Sequence, residues 1–237
     1  MDIAITPVPY WISVLFGVLM VFVPTWLIAN AATTALPKNT STSRIAKRIF
    51  NFYLLFFTLT GIVTITGFFT VNTLPPRVLV FVGIPLLFFY LFVVQRMSWF
   101  KTVFQKIQLE HLILIHLFRF VGLFFFVLYG YNVLPRSFAF IGGAGDILTA
   151  VLVIPTLYFL RKKAPFSKAL VWVWNWIGLA DILSVLTTAF LVTQEAMHKG
   201  EEGLAEFGTF PFSWIPVFAP ATIIFLHILI FRKLLLK

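Results

Sequence analysis

The chain of 237 residues is 60% hydrophobic and only 11% charged, with 30 Phe, 7 Trp and a mean hydropathy of +0.99; soluble domains carry about 25% charge, so lipid must solvate most of this surface. It contains no cysteine, which excludes disulfides, thiolate metal sites and cysteine nucleophiles. The net charge of +10 does not point to nucleic acid, because nearly all the basic residues lie in gaps between apolar runs, where membrane-flanking residues belong.

Seven runs reach the roughly 20 residues needed to cross a bilayer: 9–30, 49–71, 78–97, 109–131, 137–160, 169–194 and 213–232. They predict an all-α polytopic integral membrane protein, with one transmembrane domain over 1–237. The first run follows "MDIAITPVP", which lacks a basic stretch, and is too long for a signal-peptide core; it is expected to be a retained span. The second carries Thr58, Thr60, Thr64, Thr66 and Thr70, suited to backbone or interhelical hydrogen bonds. Before the fourth, "WFKTVFQKIQ" places Trp99, Phe100, Val103, Phe104 and Ile107 on one helical face. An interfacial helix and an extension of the fourth run both fit that pattern. Trp172, Trp174 and Trp176 in the sixth run read as an interfacial belt.

Basic residues alternate by gap. One set of gaps holds 14 of them, among them Lys38, Arg48, Arg96, Lys162 and Lys237; the other holds Arg77, Arg136 and Lys199. The excess marks the cytoplasmic side, which puts the N-terminus outside and the C-terminus inside. The acidic stretch "EAMHKGEEGLAEFGTF" then lies outside.

The remaining basic residue, Arg119, sits mid-run, as do Asp146 and Asp181. A charge at a helix centre costs about 2.5–3.5 kcal/mol on insertion scales, so three are expected to meet. At ~1.5 Å per residue, Arg119 and Asp181 fall near mid-membrane and Asp146 nearer the outer face. His116, Asn175 and His227 fall in the cytoplasmic third, completing a polar ladder across spans 4 to 7. Arg119 neutralises one carboxylate, and the other then needs a proton, a cation or a histidine. A structural ion pair that fixes helix register is the plainer reading, and each histidine alone fits hydrogen-bonded packing.

In "FAFIGGAGDILTAV", Gly142, Gly143 and Gly145 remove bulk before Asp146. Two uses fit: close packing against the span that brings Arg119, or a kink that bares carbonyls to a ligand. No Lys–Ser/Thr follows the glycines, so they are not a phosphate loop. In the seventh run, Pro216 and Pro220 align with His227. Proline cannot donate, so the carbonyls of Phe212 and Pro216 are expected to lose helical partners and to border a cavity open to the outside.

"RFVG" at 119–122, "LPRSFAFIGGAGDI" at 134–147, "WNWIGLADI" at 174–182 and "IPVFAPATIIFLH" at 215–227 together resemble a family of bacterial multi-pass membrane proteins without an assigned function. The resemblance covers residues 116–232. It implies that Arg119, Asp146, Asn175, Asp181 and His227 form one pattern in a bacterial cytoplasmic membrane, and it implies no activity. Runs one to three lie outside it.

Other seven-span folds fit less well. A retinal protein needs a lysine in the seventh run, and none lies between Trp214 and Phe231. A ceramidase-like hydrolase needs HxxxH, and this run has one histidine. Three functions stay open. The first is proton- or cation-coupled transport or permeation of a small solute. The second is an intramembrane enzyme on a lipid-like substrate, with His116, His227, Asp146 and Asp181 as a loose zinc set. The third is a structural subunit, or a haem carrier with His116 and His227 as axial ligands. No cofactor is predicted, haem and zinc both stay open, and an oligomer is compatible with all three.

Overall fold

The computed structural model describes residues 4–37 and 40–236. Lys38 and Lys237 of the charge asymmetry, and Met1 to Ile3, lie outside the described residues. Seven helices are long and apolar enough to cross a membrane. We number the helices α1 (Tyr10–Thr34), α2 (Thr40–Ile65), α3 (79–96), α4 (Ser98–Lys106), α5 (109–130), α6 (Arg136–Arg161), α7 (Ser167–Lys199) and α8 (Trp214–Leu235). Among the described residues there is no strand beyond an isolated bridge between Ile5 and Phe210.

α8 is the most enclosed of the seven and α3 the least. α8 is apolar on every side, which suits the middle of a bundle. Its neighbours hold it by hydroxyls as well as packing: Thr64 of α2 bonds Ser213 at 2.9 Å, and Tyr90 of α3 bonds Thr222 at 3.2 Å. At the end where α1 begins, here the upper end, the Thr6 N–H donates to the Phe210 carbonyl at 2.9 Å, and Asn72 donates to the carbonyls of Glu201 and Glu202. At the lower end, Arg161 pairs with Glu110 at 3.4 Å, and Lys233 donates to the Gln105 carbonyl at 3.1 Å.

Several boundaries differ from the apolar runs. α2 starts at Thr40 and stops at Ile65, so Arg44, Lys47 and Arg48 ride its first turns. Lysine and arginine are good helix formers, and hydropathy sees only the apolar part. α7 runs on to Lys199, where Lys199 and Glu195 pair at i,i+4 spacing, 2.5 Å apart. α4 is a separate helix between two extended residues, Met97 and Ile107, and not an extension of α5. It buries Val103 and Phe104, Ile107 is buried just past its end, and Arg232 lies 4.8 Å over the Phe104 ring.

Two helices depart from α geometry. α3 contains π turns at Leu79–Gly83 and Phe89–Val93. α5 narrows to a 3-10 helix over His116–Gly122, between α segments at Leu109–Ile115 and Leu123–Gly130. Such runs seldom exceed 3–4 residues, and side chains three apart eclipse in them. His116, Arg119 and Gly122 therefore line up on one edge, and all three are buried.

Candidate functional site

The eclipsed edge of α5 faces α6, α7 and α8, and Arg119 is its centre, with no exposed surface. Its Nε donates to Asp146 Oδ1 of α6 at 2.7 Å, and its Nη2 donates to Asp181 Oδ2 of α7. Nη1 donates to the Gly178 carbonyl at 3.2 Å and lies 3.5 Å from His227 Nε2. The guanidinium thus serves both acids at once. The expected ladder is compressed into a cluster, because Asp146 reaches Arg119 directly rather than standing apart toward one face. Charge bookkeeping still leaves two carboxylates against one guanidinium.

Glycines make that closeness possible. A methyl group at Gly122 would come within 2.6 Å of Asp146 Cβ, and one at Gly145 would overlap the Asp181 carboxylate. At Gly142 and Gly143 it would strike the rings of Phe125 and Phe126 at 2.8 and 2.9 Å. α6 is continuous through all three of its glycines. Of the two uses expected for them, close packing is the one seen, and the departure from α geometry lies across the contact in α5.

Below Arg119, Asn175 fixes the state of His227. Asn175 Nδ2 donates to the His227 carbonyl at 3.1 Å, which turns Oδ1 toward the ring, 2.7 Å from His227 Nδ1. A protonated Nδ1 satisfies that contact and leaves Nε2 as an acceptor facing Arg119. Gly178 leaves room for this ring, since a Cβ there would lie 2.5 Å from His227 Cε1. His116 packs on His227 with ring centroids 4.4 Å apart, and it is fully buried with neither ring nitrogen partnered by protein.

Trp174 closes the cluster and corrects its assignment to an interfacial belt. It is buried, edge-on to His116 at 5.0 Å, and its indole N–H donates to the Thr149 carbonyl at 3.0 Å. The signal was there: Trp174, Gly178 and Asp181 share a face at i, i+4 and i+7. Further along α7, the Ser184 and Thr188 hydroxyls donate to their own helix backbone.

A cavity of about 80 Å³ opens from the upper end between α3, α6, α7 and α8. Pro216 and Pro220 line it, and so does Asp146. At ~10–15 Å³ per water it has room for several. The expected reason holds only in part. Pro216 falls in the first turn of α8, where a missing donor costs little, and the Phe212 carbonyl keeps a partner in the Ile215 N–H at 3.0 Å. The Pro216 carbonyl faces Gly83 of α3, and α8 continues unbroken through Pro220.

Two cofactor geometries are not assembled. Imidazoles in van der Waals contact leave no space for a macrocycle between them, so His116 and His227 are not placed as axial haem ligands. Among the described residues, no three metal-ligating side chains converge. Asp146 and Asp181 turn to Arg119 instead of joining the histidines.

A family described as a domain of unknown function (DUF8737) matches residues 75–235. The chain belongs to this family. The DUF8737 segment contains every member of the cluster and begins ahead of α3, so it takes in a span that the motif resemblance over 116–232 had left out. α1 and α2 precede it. Comparisons with curated proteins and with solved structures found no match.

Proposed function

We propose that this protein carries out proton- or cation-coupled transport or permeation of a small solute across a bacterial cytoplasmic membrane, with the cluster as its coupling site. The observation that carries the reading is the double position of Asp146, which borders the upper cavity and also holds Arg119. Water in that cavity reaches a carboxylate belonging to a cluster with one negative charge in excess. A proton or small cation entering there neutralises the excess. It also weakens the hold of Asp146 on Arg119. Arg119 Nη1 already touches His227, and His116 beyond it offers two ring nitrogens with no protein partner. A neutral imidazole with a free ring nitrogen can accept a proton, which suits histidine to the next step. The basic asymmetry favours an orientation with the upper end outside and the C-terminus cytoplasmic. On this reading the whole chain acts as one transmembrane domain.

A second reading rests on the guanidinium itself. Its contacts occupy most of its five donors, as a purely structural lock between four helices would require.

Reconstitution in proteoliposomes separates the two. Under an imposed pH or cation gradient, Asp146→Asn is expected to abolish flux with its melting temperature close to wild type. Unchanged flux combined with a lowered melting temperature refutes coupling and leaves the lock.

A further inference from the structure

A second cavity, larger than the one beside Asp146, lies away from the charge cluster. It measures about 340 Å³ and is enclosed by α1, α2, α3, α4, α5 and α8 toward the lower end. That volume is within the ~300–1,000 Å³ typical of small-molecule sites, at the end that takes one slender ligand. Its α2 wall is Ile45, Arg48, Ile49, Phe52 and Tyr53, an i, i+3, i+4, i+7, i+8 stripe. Such a stripe is normally apolar throughout. Here Arg48 interrupts it, and Arg48 is both exposed and a wall of the cavity, so it stands at the mouth.

The chemistry is graded from mouth to floor. No acid lines the space, and among the described residues Arg48 has no hydrogen-bond or ion-pair partner. Its charge is therefore uncompensated beside an apolar chamber. The floor is a chain of buried hydroxyls: Tyr53 bonds Tyr90 at 3.0 Å, and Tyr90 bonds Thr222 at 3.2 Å. Each has a partner within the chain, so the floor asks for no polar ligand atom. Tyr53 lies five residues along α2 from Arg48, about 7.5 Å of rise. The amphipathic helix α4 covers the space with Trp99, Phe100 and Val103, and such a helix lies where bilayer amphiphiles present their heads.

We propose that this cavity binds a single-chain anionic amphiphile, a long-chain carboxylate whose head pairs with Arg48 and whose chain runs toward Tyr53 and Tyr90. The carboxylate complements the unpaired guanidinium, and the chain fills space that a diacyl lipid would overrun. Arg48 does not touch the Arg119 cluster, so this proposal stands or falls independently of coupled transport.

The test uses the full chain, purified in a neutral maltoside detergent, with radiolabelled palmitate and with hexadecanol as its uncharged counterpart. Wild type is expected to bind palmitate saturably. Arg48→Gln should weaken palmitate about ten- to hundredfold, the worth of a hydrogen bond to a charged group, with hexadecanol binding unchanged. Ala32→Phe places a ring in the cavity and should abolish both. Equal palmitate binding by wild type and Arg48→Gln, or uptake that never saturates, overturns the proposal. Tighter binding of a zwitterionic lysolipid than of palmitate overturns it as well. Arg48 is exposed, so its variant decides the matter even if Ala32→Phe fails to fold.

Discussion

On one side of α8, His227 faces Arg119, which two carboxylates hold, with His116 packed beneath. On another, Thr222 bonds Tyr90 and Tyr90 bonds Tyr53 beside a cavity of about 340 Å³. The charged region is close-packed around Arg119 and meets open volume only at Asp146: glycines on α5, α6 and α7 let carboxylates and a histidine press against backbone. The hydroxyl region borders open volume. The difference follows from what a stranded group costs. An unpaired buried charge costs several kcal/mol and demands exact partners, whereas a neutral hydroxyl needs one bond and tolerates a void beside it.

If that contrast is right, the largest loss comes from Arg119→Leu, which strands two carboxylates at once. About 3–5 kcal/mol of stability should go, and the triple variant Arg119→Leu with Asp146→Leu and Asp181→Leu should lose less than the single one. Denaturant or thermal melts of both decide it, and a wild-type melt for the single variant breaks the contrast outright. Gly145→Ala sharpens it by probing slack alone. The new methyl displaces the Asp181 carboxylate, and overpacking of this kind costs about 1–3 kcal/mol. Gly130→Ala, with open space around it, should change stability by less. Equal effects would mean that the glycines are not what brings the charges together.

The smallest effect is expected on the hydroxyl side. Tyr53→Phe removes the end of the chain and one bond, worth about 0.5–1.5 kcal/mol. Its melt should sit well above that of Arg119→Leu, and a loss as large as the arginine's would equate the two regions.

Much of the fold was readable in advance because it depends on length and hydropathy. Seven apolar runs became seven helices long enough to span, and the cost of intramembrane charge already required Arg119 to find a carboxylate. Helix ends were less readable, as at Thr40 and Lys199, because charged helix formers look like loop to a hydropathy scale. Two features escaped for a different reason. Depth counted at a uniform rise separates Asp146 from Arg119, but α5 winds as a 3-10 helix there and its rise changes. Trp174 was read from its type, tryptophan near an interface, when its register with Gly178 and Asp181 placed it in the cluster.

What the sequence determined by itself was therefore an inventory under constraint: lipid-solvated helices, a short stock of buried charge and small residues beside it. These follow from transfer free energies, which depend on residue type and position along one helix. Which acid met the arginine, in what number, and which imidazole nitrogen faced it were decided only when four helices packed. Those outcomes depend on rotation and separation between helices, and a few tenths of an ångström at a glycine settles them. Both carboxylates converge on Arg119 because α5 tightens and neither Gly122 of α5 nor Gly145 of α6 carries a side chain to hold them away.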